Sequence, residues 1–192
     1  TEAYFEKIRP SKTSFPERDL SYDQITQLSN LDFSMSSAFG SKATNLAELN
    51  AILPMLALNG YAIPFYFYDT FMKHNGFYTE AEQMINDTLF QSFPSVRENR
   101  LKEFRKRIKE TGILPNWMLK ALSDLQNSFP ENVDMRARSS TNNEDLQGFN
   151  GAGLYESYTH HKEEGHFAKT AKQVWAGLWT YRAFEERDFW RI

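Results

Sequence analysis

The sequence contains no cysteine, so disulfide bridges and thiolate chemistry are excluded within this chain. No apolar run approaches the ~20 residues that a membrane-spanning helix needs, and we therefore predict no membrane partner. Neither sign of charge dominates, because 22 Lys and Arg residues stand against 25 Asp and Glu residues. The net charge of −3 favours neither nucleic acid nor an anionic membrane as a partner. The first residues also lack the pattern of a secretory signal, so we predict a cytoplasmic protein.

The chain does have enough apolar material for a folded core. Hydrophobic residues make up 41% of its 192 residues and aromatic residues 15%, which argues against disorder. We predict a lead-in segment over residues 1–38 that packs on a domain over residues 39–192. Because the chain starts without Met and stops without a terminating signal, we expect it to be the front part of a longer protein.

The hydrophobic spacing and the positions of Gly and Pro predict both helices and strands. Helical patterns occur at residues 21–28, 42–53, 69–74, 79–90, 95–111, 116–128 and 165–187. Strand patterns occur at residues 61–68, 133–138 and 154–159. We therefore expect an α+β fold with a small mixed or antiparallel sheet, covered by several helices.

Several apolar side chains are predicted to face the core because they recur at helical spacing. They are Leu101, Phe104, Ile108, Trp117, Leu119, Leu122 and Leu125. Trp175 and Trp179 lie four residues apart, and core packing is favoured for them over a stacking platform for a ligand.

The first candidate site is Gly40-Ser41-Lys42, where a glycine precedes a predicted helix with Ser41 as its N-cap. Free N–H groups and the positive end of a helix dipole attract anions. Lys42 in the first turn is unfavourable for the helix itself, and a bound phosphate would relieve that conflict. An ordinary solvent-exposed lysine is the alternative.

The second candidate site is Arg138-Ser139-Ser140 at the end of a predicted strand, followed by a loop that contains Gly151 and Gly153. Arg can hold a phosphate through two parallel hydrogen bonds, and serine hydroxyls add donors. The glycines let the backbone approach an oxyanion. The alternative is a hairpin loop in which the glycines only turn the chain. The spacing matches neither a P-loop nor a Rossmann fingerprint.

Three further features have a structural interpretation that we favour over a chemical one. Glu144 and Asp145 are predicted to cap backbone N–H groups rather than to hold a metal. His160 and His161 are predicted to be surface residues rather than a zinc or phosphohistidine site, because adjacent side chains point apart in a strand, no Cys is available and no third ligand is evident. The basic run over residues 97–109 is predicted to be a solvated helix face, and RNA binding is the alternative.

Together these segments resemble the N-terminal nucleotide-binding domain of the pyruvate phosphate dikinase / phosphoenolpyruvate synthase family. The resemblance runs from about Phe39 to the C-terminus, and its most specific part is Arg-Ser-Ser-x-x-x-Glu-Asp-Leu over residues 138–146. It also rests on residues 40–49 (GSKATNLAEL), 63–65 (IPF), 151–157 (GAGLYES), 174–179 (VWAGLW) and 182–183 (RA).

The resemblance implies an ATP-grasp-like fold in which two lobes clamp ATP, and it implies a site. By this resemblance Lys42 and Arg138 bind ATP phosphates, Gly153 gives a backbone contact, and Ser157 lies beside the nucleotide. The family passes a phosphoryl group from ATP to a histidine on a mobile carrier domain, and then to an acceptor. The ligands of Mg²⁺, the second lobe, the carrier histidine and the acceptor domain are expected beyond Ile192, and no catalytic or metal-binding residue is assigned within this chain.

The acceptor is left open by two departures from the synthase pattern. Many synthases have Gln where this chain has Leu154, and a Pro near Gln147; residues 152–157 (AGLYES) are closer to the glucan water dikinase branch. The implied function is the ATP-binding part of a phosphotransferase that acts on pyruvate or a related acceptor, with the isolated chain inactive. The alternative is a non-catalytic interaction module that kept the fold.

Overall fold

The computed structural model describes residues 2–12, 15–56, 59–131, 133–143, 146, 149, 151 and 153–192. The helices in these residues are α1 (Glu2–Ile8), α2 (Ser36–Phe39), α3 (Ser41–Ile52), α4 (Phe65–His74), α5 (Phe77–Ile85), α6 (Thr88–Ser92), α7 (Pro94–Glu110), α8 (Asn116–Asn127), α9 (Ala168–Gly177) and α10 (Tyr181–Trp190). The strands are β1 (Thr26–Gln27), β2 (Tyr61–Ala62), β3 (Met135–Ala137) and β4 (Tyr158–His160). Short 3₁₀ turns lie at Leu28–Asn30, Phe33–Met35, Pro54–Leu56 and Lys162–Glu164.

The strands form two separate antiparallel pairs, β1 with β2 and β3 with β4. In the second pair Met135 lies opposite His160 and Ala137 lies opposite Tyr158. The α+β class predicted from the sequence is confirmed. The prediction of a single sheet that includes residues 63–68 is wrong, because that aromatic run belongs mainly to a helix.

Helix α4 begins at Phe65, directly after Pro64, which has an extended backbone conformation as the N-cap. The sequence prediction placed a strand over residues 61–68 and a helix only from Asp69. Phe67 and Phe71, four residues apart on one face of α4, are both buried in the main core. The burial of this helical stripe outweighs the high strand propensity of the aromatic residues.

The segment over residues 21–28 is not helical, in contrast to the prediction. Asp19 accepts a hydrogen bond from the Ser21 N–H (2.8 Å), which fixes a local turn. Thr26 and Gln27 then pair with β2, and this pairing satisfies the backbone groups in an extended conformation.

Two helices predicted as continuous are broken by a capping residue. Asp87 accepts hydrogen bonds from the N–H groups of Leu89 (2.9 Å) and Phe90 (3.1 Å) and separates α5 from α6. Thr180 caps α10 by accepting from the Ala183 N–H (3.2 Å), so residues 165–187 form two helices. A capping side chain satisfies N–H groups that a new helix start would otherwise leave unpaired.

The main core lies between α4, α5, α7, α8 and α9. Leu101, Phe104 and Ile108 are fully buried in it, as predicted, and Trp175 is buried as well. Trp117 was predicted to be core but is 43% exposed, because α8 is rotated so that Met118 points inward. No helix in the described ranges is long and apolar enough to cross a bilayer.

Candidate functional site

Helix α3 starts against the Ser140–Thr141 segment, and Gly40 makes this close approach possible. Gly40 is the N-cap, with a φ of +83°, and Ser41 is the first helical residue rather than the cap that the sequence predicted. A Cβ atom on Gly40 would lie 2.5 Å from the carbonyl carbon of Ser140. Only glycine combines this positive φ with so small a separation of the two backbones.

Hydrogen bonds join the two predicted sites directly. The Ser41 N–H donates to the carbonyl oxygen of Thr141 (3.1 Å), and the Ala43 N–H donates to the Ser140 hydroxyl oxygen (3.0 Å). The sequence predicted that free N–H groups at this helix start attract an anion. This prediction is wrong for the amides of Ser41 and Ala43, because both already have partners. An anion at this place would have to be held by charged side chains more than by these two amides.

Lys42 and Arg138 belong to these two contacting segments, and both side chains are exposed. Lys42 lies in the first turn of α3, between Ser41 and Ala43, whose N–H groups donate to the Ser140–Thr141 segment. Arg138 follows β3 and lies two residues before Ser140. Within the described part of the chain, the Arg138 side chain forms no hydrogen bond or ion pair. Two cations distant in sequence are thus carried by adjacent pieces of backbone.

Ser157 lies at the same end of the β3–β4 pair as Arg138. The last register pair is Ala137 with Tyr158, so Arg138 leaves β3 where Ser157 leads into β4. Gly153 is exposed with a φ of +73°, and a Cβ atom there would meet nothing within 4 Å. The loop backbone at Gly153 is therefore accessible from solvent.

The loop before β4 is tied to the segment that follows Arg138 by residues that the sequence analysis did not single out. Tyr155 donates through its hydroxyl to the Asn143 side-chain oxygen (3.2 Å), which also accepts from the Thr141 hydroxyl (2.8 Å). Arg187 of α10 donates to the same Tyr155 oxygen (3.3 Å). No sequence signal identifies this network, because its hydrogen bonds join residues 2, 12 and 32 positions apart with no regular spacing.

The hypotheses for Glu144 and Asp145 fall on residues outside those described. The described residues contain no group of three His, Asp or Glu side chains that could hold a metal ion.

The two adjacent histidines have different environments, and the prediction that both are surface residues is wrong for His160. His160 is buried, with Nδ1 2.8 Å from the Thr170 hydroxyl and Nε2 3.2 Å from the Gly165 carbonyl oxygen. His161 is exposed, as predicted, and its Nδ1 lies 2.8 Å from a carboxylate oxygen of Asp134. The hydrogen bond to Asp134 raises the pKa of His161 above its ordinary value.

The basic face of α7 makes contacts within the molecule. Arg97 pairs with Glu185, and Arg107 pairs with Glu80. Arg105 donates to the carbonyl oxygen of Ala176 on α9 (3.2 Å). These arginines fasten α7 to its neighbours, whereas the sequence predicted a helix face that is only solvated.

The fold and the site together define an α+β domain in which adjacent backbone segments carry two exposed cations, and an exposed glycine-bearing loop leads into β4. A family model described as "Pyruvate phosphate dikinase, AMP/ATP-binding domain" matches residues 36–189. The chain therefore belongs to this family, and it is an ATP-binding domain of the dikinase type. This membership supports the ATP-grasp-like lobe expected from the motifs. A search of curated proteins finds no match to this chain.

Proposed function

We propose that this chain supplies the phosphate-binding part of an ATP site in a dikinase-type phosphotransferase. The observation that carries the proposal is the hydrogen-bonded contact between the start of α3 and Ser140–Thr141. This contact puts the turn that bears Lys42 beside the segment that begins at Arg138. In this proposal Lys42 and Arg138 bind ATP phosphates, Gly153 donates a backbone N–H, and Ser157 lies beside the nucleotide.

The proposed reaction moves a phosphoryl group from ATP to a histidine of a carrier domain, and then to pyruvate or a related acceptor. Phosphoryl transfer depends on positioning and on neutralising the charge of the phosphates. The residues of this chain contribute to both, because two cations and one loop can hold a polyphosphate in one orientation. Magnesium, when bound, would help to neutralise the charge of the phosphates, and the described residues contain no group of three acidic or histidine side chains that could hold it.

The residue roles are tested by ATP binding to the longest chain that the gene encodes. Lys42→Ala and Arg138→Ala each remove one charged contact, so the affinity should fall about 10–100-fold, or roughly 1.5–3 kcal/mol. Isothermal titration calorimetry measures both variants. Lys120→Ala is the matched control, because this exposed lysine pairs with Asp124 on α8. Unchanged affinity in both site variants would remove them from the ATP site.

The isolated 192-residue chain is proposed to bind ATP weakly or not at all, and not to turn it over. It supplies two cations and a loop, while the family clamps ATP between two lobes. An assay of phosphoryl transfer with radioactive ATP should show no labelling of the isolated chain. Clear ATP-dependent labelling would overturn this part of the proposal.

A non-catalytic interaction module is the second candidate function. It is favoured by the N–H groups of Ser41 and Ala43, which already have partners and are not offered to an anion. The variants Lys42→Ala and Arg138→Ala distinguish the two candidate functions, because a docking module keeps its partner when Lys42 or Arg138 is replaced. A dikinase loses phosphoryl transfer.

A further inference from the structure

The segment over residues 17–22, called here the N-terminal strap, lies before the matched family domain and contacts both halves of the candidate site. The carbonyl oxygen of Glu17 accepts a hydrogen bond from the Asn142 side chain (2.6 Å). Asn142 lies in the segment that begins at Arg138. The strap therefore has a direct bond to one of the two segments that carry the candidate phosphate-binding cations.

The other end of the strap contacts the chain directly before Gly40. The Asp19 N–H donates to the carbonyl oxygen of Ser37 (2.9 Å) in α2. Tyr22 packs edge-on against Phe39, with ring centroids 5.5 Å apart, and Phe39 is 1% exposed. These contacts fix the residues that lead into the α3 start, from which Lys42 projects.

The strap is anchored through Arg18 on a buried carboxylate that belongs to neither half of the site. Arg18 lies 3.4 Å from a carboxylate oxygen of Asp69 and donates to the Tyr78 hydroxyl oxygen (3.2 Å). Asp69 is 3% exposed, although a charged side chain is rarely so deeply buried without partners. Tyr78 in turn donates to Asp69 (3.1 Å), and Lys73 pairs with the second carboxylate oxygen (2.7 Å).

We propose that Arg18 is a positioning residue for the ATP site, acting through the N-terminal strap. It holds the strap on α4 and α5, and the strap holds the α2–α3 junction and the Asn142 segment at one spacing. Lys42 and Arg138 are thereby kept at the separation that a polyphosphate requires. This proposal rests on the function proposed above, and a charged anchor of this kind fixes geometry without touching the ligand.

Amide hydrogen exchange by NMR tests the proposal without ATP. Arg18→Ala should fold, because Lys73 still pairs with Asp69. In this variant the amides of Ser41 and Ala43 should exchange about tenfold faster, since local opening exposes the bonds that hold the two segments together.

The amides of the core helix α7 should keep their protection in the same variant. Wild-type exchange at Ser41 and Ala43 would overturn the proposal. So would equal acceleration throughout the chain, which is the sign of a general structural role.

Two further variants sharpen the comparison. Arg9→Ala is the matched control, because Arg9 also precedes the family domain but pairs with Asp188 of α10, and it should leave Ser41 and Ala43 unchanged. Arg18→Lys should restore part of the protection, since Lys keeps the charge but cannot contact two partners in a fork. Faster exchange in Arg9→Ala than in Arg18→Ala would contradict the assigned anchor.

A double-mutant cycle tests whether Arg18 acts through the strap. Arg18→Ala and Asn142→Ala break the same connection at its two ends, so the double variant should match the larger single effect. Fully additive effects would overturn the connection.

ATP titration of the longest chain that the gene encodes completes the test, and Arg18→Ala should weaken binding several-fold. If wild-type protein binds no ATP, the proposed function fails, while the exchange data still decide the role of the strap.

Discussion

At the scale of single residues, Gly40 is a position of the candidate site at which no side chain fits. Gly40→Ala places a Cβ 2.5 Å from the Ser140 backbone at a positive φ, and we expect destabilisation of at least roughly 2 kcal/mol. Gly76→Ala is the matched control, since its φ is +68° with nothing within 4 Å, and it should cost only about 1–2 kcal/mol. Urea unfolding measures both variants, and an equal loss would show that the close approach to Ser140 is not tight.

His161 gives the molecule a pH-dependent contact that the sequence does not reveal. Asp134 raises the pKa of His161 in the folded state, so the ion pair stabilises the fold. Its contribution to the free energy of unfolding is complete below the ordinary pKa of 6.5 and is lost as the pH rises through the folded-state pKa. Asp134→Asn should return the pKa of His161 toward 6.5 in an NMR titration. Asp124→Asn, which removes a carboxylate on α8, should not change the titration.

At the scale of secondary structure, capping residues decide where the helices stop. The hydrophobic stripe from residue 165 to 187 predicts one helix, but Thr180 starts a second one with an extended φ and ψ of −65° and 149°. Thr180→Ala removes the bond to the Ala183 N–H and should destabilise the fold by about 1 kcal/mol. Thr180→Ser keeps the hydroxyl and should have little effect. Thermal unfolding of both variants measures the difference, and equal losses would contradict the cap.

Short strands, and helices rich in aromatic residues, are difficult to predict from local sequence patterns. Residues 61–68 have the composition of a strand, yet only Tyr61–Ala62 pair with β1. The stripe of Phe67 and Phe71 packs inside the core only because α5, α7 and α9 surround it. A local window cannot contain that information, since the partners lie far along the chain.

At the scale of the whole molecule, Phe104 connects helices that are distant in sequence. Its ring lies 5.7 Å from that of Phe77 on α5 and 4.8 Å from that of Trp179, which follows α9. Phe104→Ala should lower the free energy of unfolding by about 3–5 kcal/mol. Phe33→Ala, at a 54% exposed position, should lower it by less than about 1 kcal/mol. Far-UV circular dichroism and tryptophan fluorescence should report one coincident transition in urea. Separate transitions would show that the helices do not unfold as one cooperative unit.

The sequence by itself determined the class of the fold, most of the long helices and the family, because periodic burial and specific motifs are local properties of the chain. It also identified Lys42, Arg138, Gly153 and Ser157, whose roles stay a proposal. Only the tertiary structure showed that the α3 start and the segment after Arg138 share hydrogen bonds, and that the N-terminal strap contacts both. These relations depend on packing between residues up to 125 positions apart, and no local pattern carries information about such distances.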